Sequence, residues 1–374
     1  MKVRYVEPIA VRIPMKKPVV MAGVEIRVAE NVLVRLEADD GTIGWGEAAS
    51  APNMTGETIE SMLAAITYLA PAIVGHAADD LAGLMAALDA RMYGNHGAKA
   101  AIEIALHDLI GRATGRPAYT LLGGKKRSRM PLLGVIGTGE LASDLKQAES
   151  QKAQGYTAFK IKIGIDAPLR DAERTRALCD LIGAGSLISA DANQGYSVEQ
   201  AVQYVRAISG SRLDFLEQPV RGEDVAGMAQ VAAAAGNIAI GADEGLHSPN
   251  DIRLHHERSA ARGASLKTIK LSGMRGVLEA GRLCDGLSME VNVAAKTGES
   301  SIACAAAMHV AAALPQIAWG LTLTHQGLAD DLTARPIPIA DGHVEITERP
   351  GLGVEVDEER VRRHRWDLPI RQVA

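Results

Sequence analysis

The sequence is poor in cysteine, which limits the kinds of fold that it can form. Its three cysteines, Cys179, Cys284 and Cys304, lie far apart, are odd in number and show no C-x-x-C spacing. This pattern argues against a disulfide framework and fits buried thiols in a reducing compartment. We therefore expect the three thiols to serve packing.

Long apolar runs and blocks of like charge are also missing. No apolar stretch approaches the ~18 residues of a membrane span, and the amino terminus MKVRYVEPIAVRIPM alternates like a strand instead of resembling a signal peptide. The net charge of −5 is small for 374 residues and gives no indication of a nucleic-acid partner. These absences predict a cytoplasmic protein with a small-molecule substrate and no membrane partner.

The length and the apolar content predict a large domain with a second, smaller one beside it. The chain exceeds the usual size of one hydrophobic core, and 47% of its residues are hydrophobic. The first 50 residues alternate apolar and polar positions, with a hairpin signal at Asp40-Gly41, as in a small antiparallel sheet. Helical spacing follows in three segments, 56–74, 79–93 and 98–114. Because Gly123-Gly124 then breaks the chain, we expect residues 1–125 to form an α+β capping domain.

Eight short apolar runs alternate with helix-length segments across residues 126–335. The runs are PLLGVI, TAFKIKI, SLISAD, LDFLEQP, IAIGAD, SLKTIK, SMEVNV and, more weakly, QIAWGL. This α/β repeat predicts a (β/α)8 barrel of the TIM type as the catalytic domain. An open doubly wound sheet is the alternative, but no Gly-x-Gly-x-x-Gly follows any run, and eight units are many for that fold. Residues 336–374 return to strand-like alternation, and we expect them to complete the capping domain.

Acidic residues end three successive runs of the predicted barrel. Asp191, Glu217 and Asp243 are spaced 26 residues apart, about one βα unit each. Since the carboxyl ends of barrel strands meet at one rim, the three carboxylates would repel one another unless a cation compensates. All-oxygen ligation suits Mg²⁺ first and Mn²⁺ second. The alternative for each acid is a helix N-cap or a surface turn, but the equal spacing favours a metal site.

Lysines flank these acids within the predicted strands. Lys160 and Lys162 share one face of F-K-I-K-I, and Lys267 lies in S-L-K-T-I-K, where an unpaired ammonium is costly. A lysine near other positive charge and a metal has a lowered pKa and can act as a general base. The alternative is a rim lysine paired with a neighbouring acid, which also applies to Lys270.

Together these groups indicate proton removal next to a carboxylate. A divalent cation bound to a substrate carboxylate would stabilise the enediolate that forms when the α-proton leaves, and a neutral lysine would receive that proton. Reprotonation on the other face by the second lysine would produce an epimer. Departure of a β-leaving group would produce an alkene or a ring-opened acid.

An ordered set of motifs along nearly the whole chain resembles the enolase superfamily, and within it the muconate lactonizing enzyme subgroup of the mandelate racemase/muconate lactonizing enzyme family. The motifs are DGTIGWGEA, AKAAIEIALHDLIGRATGRPAYTLLGG, K-I-K, D-A-N, E-Q-P, A-D-E, L-K-T-I-K-L-S-G and PGLGVEVDE. The resemblance implies that Asp191, Glu217 and Asp243 are metal ligands. It also implies that Lys162 and Lys267 are the acid/base catalysts, with Lys160 as an electrostatic helper.

The substrate stays open, because the chain departs from the patterns of several subgroups. The mandelate racemase subgroup has a histidine after strand seven, where this chain reads VNVAAK, so acid-sugar dehydration is disfavoured. Muconate lactonizing enzymes have a T-E-L-F-G-like segment after strand eight, where this chain reads L-T-L-T-H-Q-G. Dipeptide epimerases have an Asp-x-Asp there, and this chain has only Asp330-Asp331 nearby. A cycloisomerase, a dipeptide epimerase, an N-acyl or proline-type amino-acid racemase and a dehydratase all remain candidates.

Further residues are candidates for contact with a carboxylate substrate. Loops of the capping domain at 18–24 and 49–55 are expected to close over the barrel mouth. The candidates are Met21, Met54, Asn193, Glu244, Glu299 and His325. The family resemblance also implies a homo-oligomer. Two other classes stay open, a lyase that forms a Schiff base with a strand lysine and a non-catalytic metal-binding barrel.

Overall fold

The computed structural model of the chain describes residues 1–21 and 24–366, beginning with a three-stranded antiparallel sheet. Its strands, in the order β1-β2-β3, are β1 (Val3–Met21), β2 (Val24–Ala38) and β3 (Ile43–Ala49). Three helices follow, α1 (Ile59–Leu69), α2 (Leu81–Arg91) and α3 (His96–Thr114). The glycines of G-W-G-E let α3 lie directly on β3, since a Cβ at Gly46 would lie 1.9 Å from the carbonyl oxygen of Ala101. The predicted antiparallel sheet is confirmed.

Eight parallel strands then form one sheet in chain order. They are β5 (Leu133–Ile136), β6 (Ala158–Lys162), β7 (Leu187–Asp191), β8 (Phe215–Glu217), β9 (Ala239–Ala242), β10 (Gly263–Leu266), β11 (Glu290–Ala294) and β12 (Leu321–Thr322), and β4 (Arg129–Pro131) precedes them. A parallel bridge between Leu132 and Leu321 joins the first strand region to the last. The predicted barrel is confirmed, because an open doubly wound sheet would reverse its strand order.

Seven helices connect consecutive barrel strands. They are α4 (Leu141–Ala153), α5 (Pro168–Ile182), α6 (Val198–Ala207), α7 (Val225–Ala234), α8 (Pro249–Glu257), α9 (Met274–Gly286) and α10 (Ser301–Ala313). Within the described residues no α-helix follows β12 before the carboxy-terminal segment. That segment contains β13 (His343–Glu345), which pairs with β4, and α11 (Glu358–His364). The His364 imidazole Nδ1 lies 3.1 Å from the carbonyl oxygen of Arg12 in β1.

Two details differ from the sequence-based expectation. Strand β10 ends at Leu266, so Lys267 follows the strand instead of lying within it, and Thr268–Lys270 forms a 3-10 turn. The Lys270 amine donates to the carbonyl oxygen of Ser265 at 2.9 Å, which ties this turn back to its strand. In the carboxy-terminal segment, strand geometry is confined to His343–Glu345 among the described residues, and the rest is turns and one helix.

An aromatic pair fills the amino end of the barrel. The rings of Phe215, the first residue of β8, and Trp319 stack with centroids 4.0 Å apart. Glycine makes room for the indole, since a Cβ at Gly263 would lie 2.3 Å from it. The opposite, carboxyl end is therefore the one where polar side chains meet. No helix in the described ranges is long and apolar enough to cross a membrane.

We expect Trp319→Ala to lower the free energy of unfolding by about 3–5 kcal/mol, because it leaves a cavity beneath the barrel. Urea denaturation followed by circular dichroism measures this loss. Tyr93→Ala is the matched control, since the Tyr93 side chain is 99% exposed, and it should change stability by less than about 0.5 kcal/mol. A loss below about 1 kcal/mol in Trp319→Ala would show that the stacked pair does not support the barrel.

Candidate active site

Three buried carboxylates meet at the carboxyl ends of adjacent strands. Asp191 and Glu217 are the last residues of β7 and β8 and are direct partners in the sheet register. Asp243 comes immediately after β9. All three are at most 2% exposed. The structure thus brings together the three acids that the sequence spacing selects.

Two lysines approach this trio from opposite sides. Lys162 is the last residue of β6, and its Nζ lies 2.6 Å from Asp191 Oδ2 and 2.8 Å from Asn193 Oδ1. Lys267 follows β10 and forms a direct ion pair with Asp243. Because β7, β8 and β9 lie between β6 and β10 in the sheet, the two amines face each other across the carboxylates.

Two further lysines, both buried, form ion pairs with these acids. The Lys160 Nζ lies 2.5 Å from Glu217 Oε2 and 3.9 Å from Asp191 Oδ2, so one ammonium serves two carboxylates. The Lys270 Nζ lies 2.6 Å from Asp243 Oδ1. Both side chains are buried. The predicted pairing of rim lysines with acids is thus present, and it coexists with the cluster expected of a catalytic site.

Ion pairing keeps two of the acids charged despite their burial. Burial raises the pKa of Asp191, but the nearby ammonium groups of Lys162 and Lys160 outweigh it and hold that pKa below its ordinary value. The pKa of Asp243 is lowered for the same reason by its two lysine partners. These carboxylates are therefore anionic at neutral pH.

The same contacts stabilise the charged form of the lysines. Burial lowers the pKa of Lys267, but attraction to Asp243 outweighs it, and the pKa lies above its ordinary value. Lys160 follows the same pattern, with Glu217 as its main partner. These contacts raise the pKa of Lys160 and Lys267, whereas the lowering expected from the sequence requires a metal ion beside the amine.

The donor set fits a hard divalent cation. Burial raises the pKa of Glu217, and repulsion by Asp191 and Asp243 adds to that rise. Added positive charge would therefore stabilise the anionic form of the three carboxylates. Carboxylate oxygens are the ligands that Mg²⁺ and Mn²⁺ prefer. Among residues 1–21 and 24–366, no group of three or more Asp, Glu, His or Cys side chains is already arranged to hold a metal ion. Lysine ammonium groups contact the three carboxylates instead.

A cleft of about 710 Å³ lies between the capping domain and the barrel mouth. Met54 lines it from the capping domain, while Asn193 and Glu244 line it from the barrel. The Asn193 amide donates to Glu244 Oε1 at 3.0 Å. Burial, followed by repulsion from Asp243, raises the pKa of Glu244 to about 7. Three of the predicted substrate-binding residues therefore share one cleft beside the acids.

The other predicted substrate contacts are placed differently. The Met21 side chain lies outside the described residues, as does part of the 18–24 loop. The His325 Nε2 lies 2.9 Å from the carbonyl oxygen of Ile337, and no hydrogen bond or ion pair within the described ranges links it to the acid and lysine cluster. Glu299 is buried, and its Oε2 accepts a hydrogen bond from the backbone N–H of Lys296 at 2.8 Å.

Sequence reasoning missed two residues of this site. Gln218 has a positive φ of 34°, and its Oε1 accepts hydrogen bonds from the backbone N–H groups of Asp243 at 2.8 Å and Gly245 at 3.2 Å. It therefore holds the turn that carries Asp243. Lys296 follows β11 and is only 7% exposed. Both residues come shortly after a strand end, which was the signal that could have identified them.

The capping domain fixes the loop between β11 and α10. The buried Glu47 of β3 accepts hydrogen bonds from the Ser300 hydroxyl at 2.6 Å and the Ala303 N–H at 3.0 Å. The Asn31 amide bridges Glu47 Oε1 at 2.6 Å and the carbonyl oxygen of Gly298 at 2.8 Å. The start of α10, and with it the turn that carries Lys296 and Glu299, is thereby anchored to the capping sheet.

Comparison with known proteins agrees with this architecture. The amino-terminal domain model of the mandelate racemase/muconate lactonizing enzyme family matches residues 4–123, and the enolase C-terminal domain-like model matches residues 143–360.

Proteins that match this chain over nearly their full length are named as isomerases. The chain is 30% identical over 370 residues to a chloromuconate cycloisomerase of Cupriavidus necator, which covers 97% of this chain and 99% of the relative. It is 32% identical over 350 residues to an L-Ala-D/L-Glu epimerase of Clostridium acetobutylicum, covering 92% and 96% of the two chains. The crystal structure of N-succinyl Arg/Lys racemase from Bacillus cereus superposes with a TM-score of 0.92 at 27% identity over 98% of each chain.

The alternatives of a Schiff-base lyase and of a non-catalytic barrel do not agree with these matches. The chain belongs to the mandelate racemase/muconate lactonizing enzyme family of the enolase superfamily, and it is an isomerase.

Proposed function

We propose that this isomerase removes the proton next to the carboxylate of a small substrate and that Lys162 and Lys267 are its acid/base pair. The observation that carries the proposal is their placement on β6 and after β10, on opposite sides of three carboxylates. A planar intermediate between them would present one face to each amine. The arrangement supports proton removal on one face and proton return on the other.

The proposed cofactor is Mg²⁺, with Mn²⁺ as a substitute, and Asp191, Glu217 and Asp243 would hold it. Their all-oxygen donor set and mutual repulsion support this assignment. When bound, such a cation neutralises the substrate carboxylate and the negative charge that develops as the α-proton leaves.

Side chains of this protein accept the proton, supply fixed positive charge and contact the substrate. A lysine accepts a proton only in its neutral form, so Lys267 can act as base only when its contact with Asp243 is weakened. Lys160 keeps its ion pair with Glu217 and adds fixed positive charge beneath the substrate. We assign Asn193, Glu244 and Met54 to substrate contact, because they line one cleft and Asn193 also accepts a hydrogen bond from Lys162.

The reaction that best fits two opposed lysines is a racemisation or epimerisation, in which both amines exchange protons with one carbon. A cycloisomerase is the second candidate, favoured by the identity shared with the chloromuconate cycloisomerase. A change in optical rotation marks the first, and a change in ultraviolet absorbance of an unsaturated diacid marks the second. The homo-oligomeric state and the cytoplasmic location remain predictions of the sequence.

Lys162→Ala and Lys267→Ala should each slow the interconversion of the two stereoisomers by about 10²- to 10⁴-fold, because each removes one acid/base group. Each variant should lose α-proton exchange in the stereoisomer whose proton faces the removed amine and keep it in the other. The measurement is incorporation of solvent deuterium at the α-carbon, by NMR, over a panel of N-acyl amino acids, dipeptides, proline derivatives and muconates. Lys146→Ala, on the exposed face of α4, is the control and should keep the wild-type rate. Near-normal exchange of both stereoisomers in either active-site variant would refute the two-lysine scheme.

Removal of the metal should abolish exchange reversibly. EDTA treatment is expected to stop deuterium incorporation, and added Mg²⁺ should restore it. Because a ligand that binds only the folded state stabilises it, Mg²⁺ should also raise the Tm of the metal-free protein. Glu217→Gln should lose most of that Tm shift, whereas Glu199→Gln on the outer helix α6 should retain it. A full Tm shift in Glu217→Gln would contradict the assignment of the metal ligands.

The isomerase mechanism also predicts that no covalent adduct forms with a lysine. Borohydride treatment in the presence of a turned-over carbonyl-containing substrate should leave the intact protein mass unchanged. An imine mechanism would instead trap the substrate on a lysine and add its mass. A mass increase that Lys267→Ala prevents would therefore overturn the proposed function.

A further inference from the structure

The side-chain amide of Asn193 bridges two parts of the barrel mouth. Its Oδ1 accepts a hydrogen bond from the Lys162 amine at 2.8 Å, and its Nδ2 donates to Glu244 Oε1 at 3.0 Å. Lys162 ends β6 and Glu244 lies in the turn after β9, so the amide reaches across the two strands that carry Asp191 and Glu217. Both polar ends of the Asn193 side chain are therefore engaged by protein partners.

Hydrogen bonds also fix the turn from which this amide projects. Asn193 has a positive φ of 42°, and its backbone N–H donates to Asp191 Oδ1 at 3.0 Å. The backbone N–H of the next residue, Gln194, donates to the carbonyl oxygen of Gln218 at 2.8 Å, and its Oε1 accepts from the N–H of Gly222 at 2.8 Å. Because the turn is tied to the loop after β8, the Asn193 amide can hold a long, flexible lysine at a defined place.

The Lys162 amine has two hydrogen-bond acceptors within the described residues. They are Asp191 Oδ2 at 2.6 Å and Asn193 Oδ1 at 2.8 Å. Asp191 is one of the three acids that we propose as metal ligands, so a bound cation would compete with Lys162 for its oxygens. The Asn193 amide is uncharged, and its oxygen can accept a hydrogen bond from the neutral and from the charged form of the amine. Asn193 can therefore hold Lys162 before and after a proton is transferred.

The other proposed acid/base group, Lys267, has a different environment. Its amine forms an ion pair with Asp243, and the Asn193 amide, as far as the structure describes the chain, bonds to Lys162 and not to Lys267. Removing that amide should therefore disturb one amine of the pair and spare the other. A general loss of folding or of metal binding would instead affect proton exchange on both faces of the substrate.

We propose that Asn193 is a positioning residue for Lys162, and that it holds this amine against one face of the substrate while Glu244 holds the amide. This inference rests on the proposed function for the role of Lys162. It assigns to Asn193 a task beyond contact with the substrate. Asn193 itself transfers no proton, and its effect on the reaction passes through Lys162 alone.

The test replaces Asn193 by glycine, which removes the amide and tolerates the positive φ of the turn. Deuterium exchange is measured on separate stereoisomers of N-acyl amino acids, dipeptides and proline derivatives, at saturating substrate so that weaker binding does not contribute. Lys162→Ala identifies the stereoisomer whose α-proton faces Lys162, because that variant loses its exchange. Asn193→Gly should slow exchange of this stereoisomer by about 10- to 100-fold, since a misplaced base is a poor one. Exchange of the other stereoisomer should change less than about threefold.

The proposal fails if Asn193→Gly slows both stereoisomers equally, slows neither, or slows only the one that faces Lys267. The Mg²⁺-induced rise in Tm should persist in Asn193→Gly, because the amide is not among the proposed ligands, and its loss would also contradict a positioning role. Asn237→Gly, in an exposed turn before β9, is the matched control and should exchange both stereoisomers at the wild-type rate. Circular dichroism verifies folding, and Asn193→Ala is used if Asn193→Gly does not fold.

Crystal structures of the Mg²⁺-loaded wild type and of Asn193→Gly separate this inference from the proposed function, because they need no substrate. In the wild type the Lys162 Nζ should lie within about 3.2 Å of Asn193 Oδ1, and in the variant the Lys162 side chain should leave that place or occupy more than one rotamer. A Lys162 amine away from Asn193 in the wild type, or an unchanged single rotamer in the variant, would overturn the inference. If the wild type exchanges no acid in the panel, the proposed function fails, while these structures still decide whether Asn193 positions Lys162.

Discussion

Repulsion among three buried carboxylates is the constraint on which the barrel mouth depends. Asp191, Glu217 and Asp243 lie on neighbouring strands with almost no exposure to solvent, so water cannot screen their charges. Every one of them contacts an ammonium group. The lysines that meet this need come from strands on both sides of the trio. The same geometry that balances the charges of the fold also places Lys162 and Lys267, which we propose as the proton carriers, on opposite sides of the trio.

The rest of the molecule holds this arrangement in place. The Phe215–Trp319 stack fills the amino end of the barrel with apolar side chains. The polar side chains of the site therefore lie at the carboxyl end. The Gln218 amide fixes the turn after β9. Glu47 ties the start of α10 to the capping sheet, so the capping domain influences the site through the β11–α10 turn as well as by covering it.

Much of the site could be predicted from the sequence, because barrel topology converts spacing along the chain into position around a rim. Asp191, Glu217 and Asp243 followed from equal spacing, and Lys160 and Lys162 followed from the period of two in a strand. The position of Lys267 was predicted less well, since alternation in SLKTIK does not reveal that the strand ends at Leu266. Alternation also cannot show that Lys270 turns back towards Ser265.

Other features depend on contacts between distant segments and were out of reach. His325 comes three residues after β12, but its imidazole Nε2 lies 2.9 Å from the carbonyl oxygen of Ile337 in the carboxy-terminal segment. Lys296 is separated from its strand by Ala295, and only the structure shows that its side chain is buried. The direction of the lysine pKa shifts likewise depends on which carboxylates touch which amines, and spacing alone does not determine that.

Diffraction from crystals soaked in Mn²⁺, with anomalous scattering used to locate the ion, tests the central claim most directly. We predict a single strong site bound by one oxygen from each of Asp191, Glu217 and Asp243, with the amines of Lys162 and Lys267 on opposite sides of the adjoining cavity. An ion bound elsewhere, or no ion at this trio at saturating Mn²⁺, would contradict it.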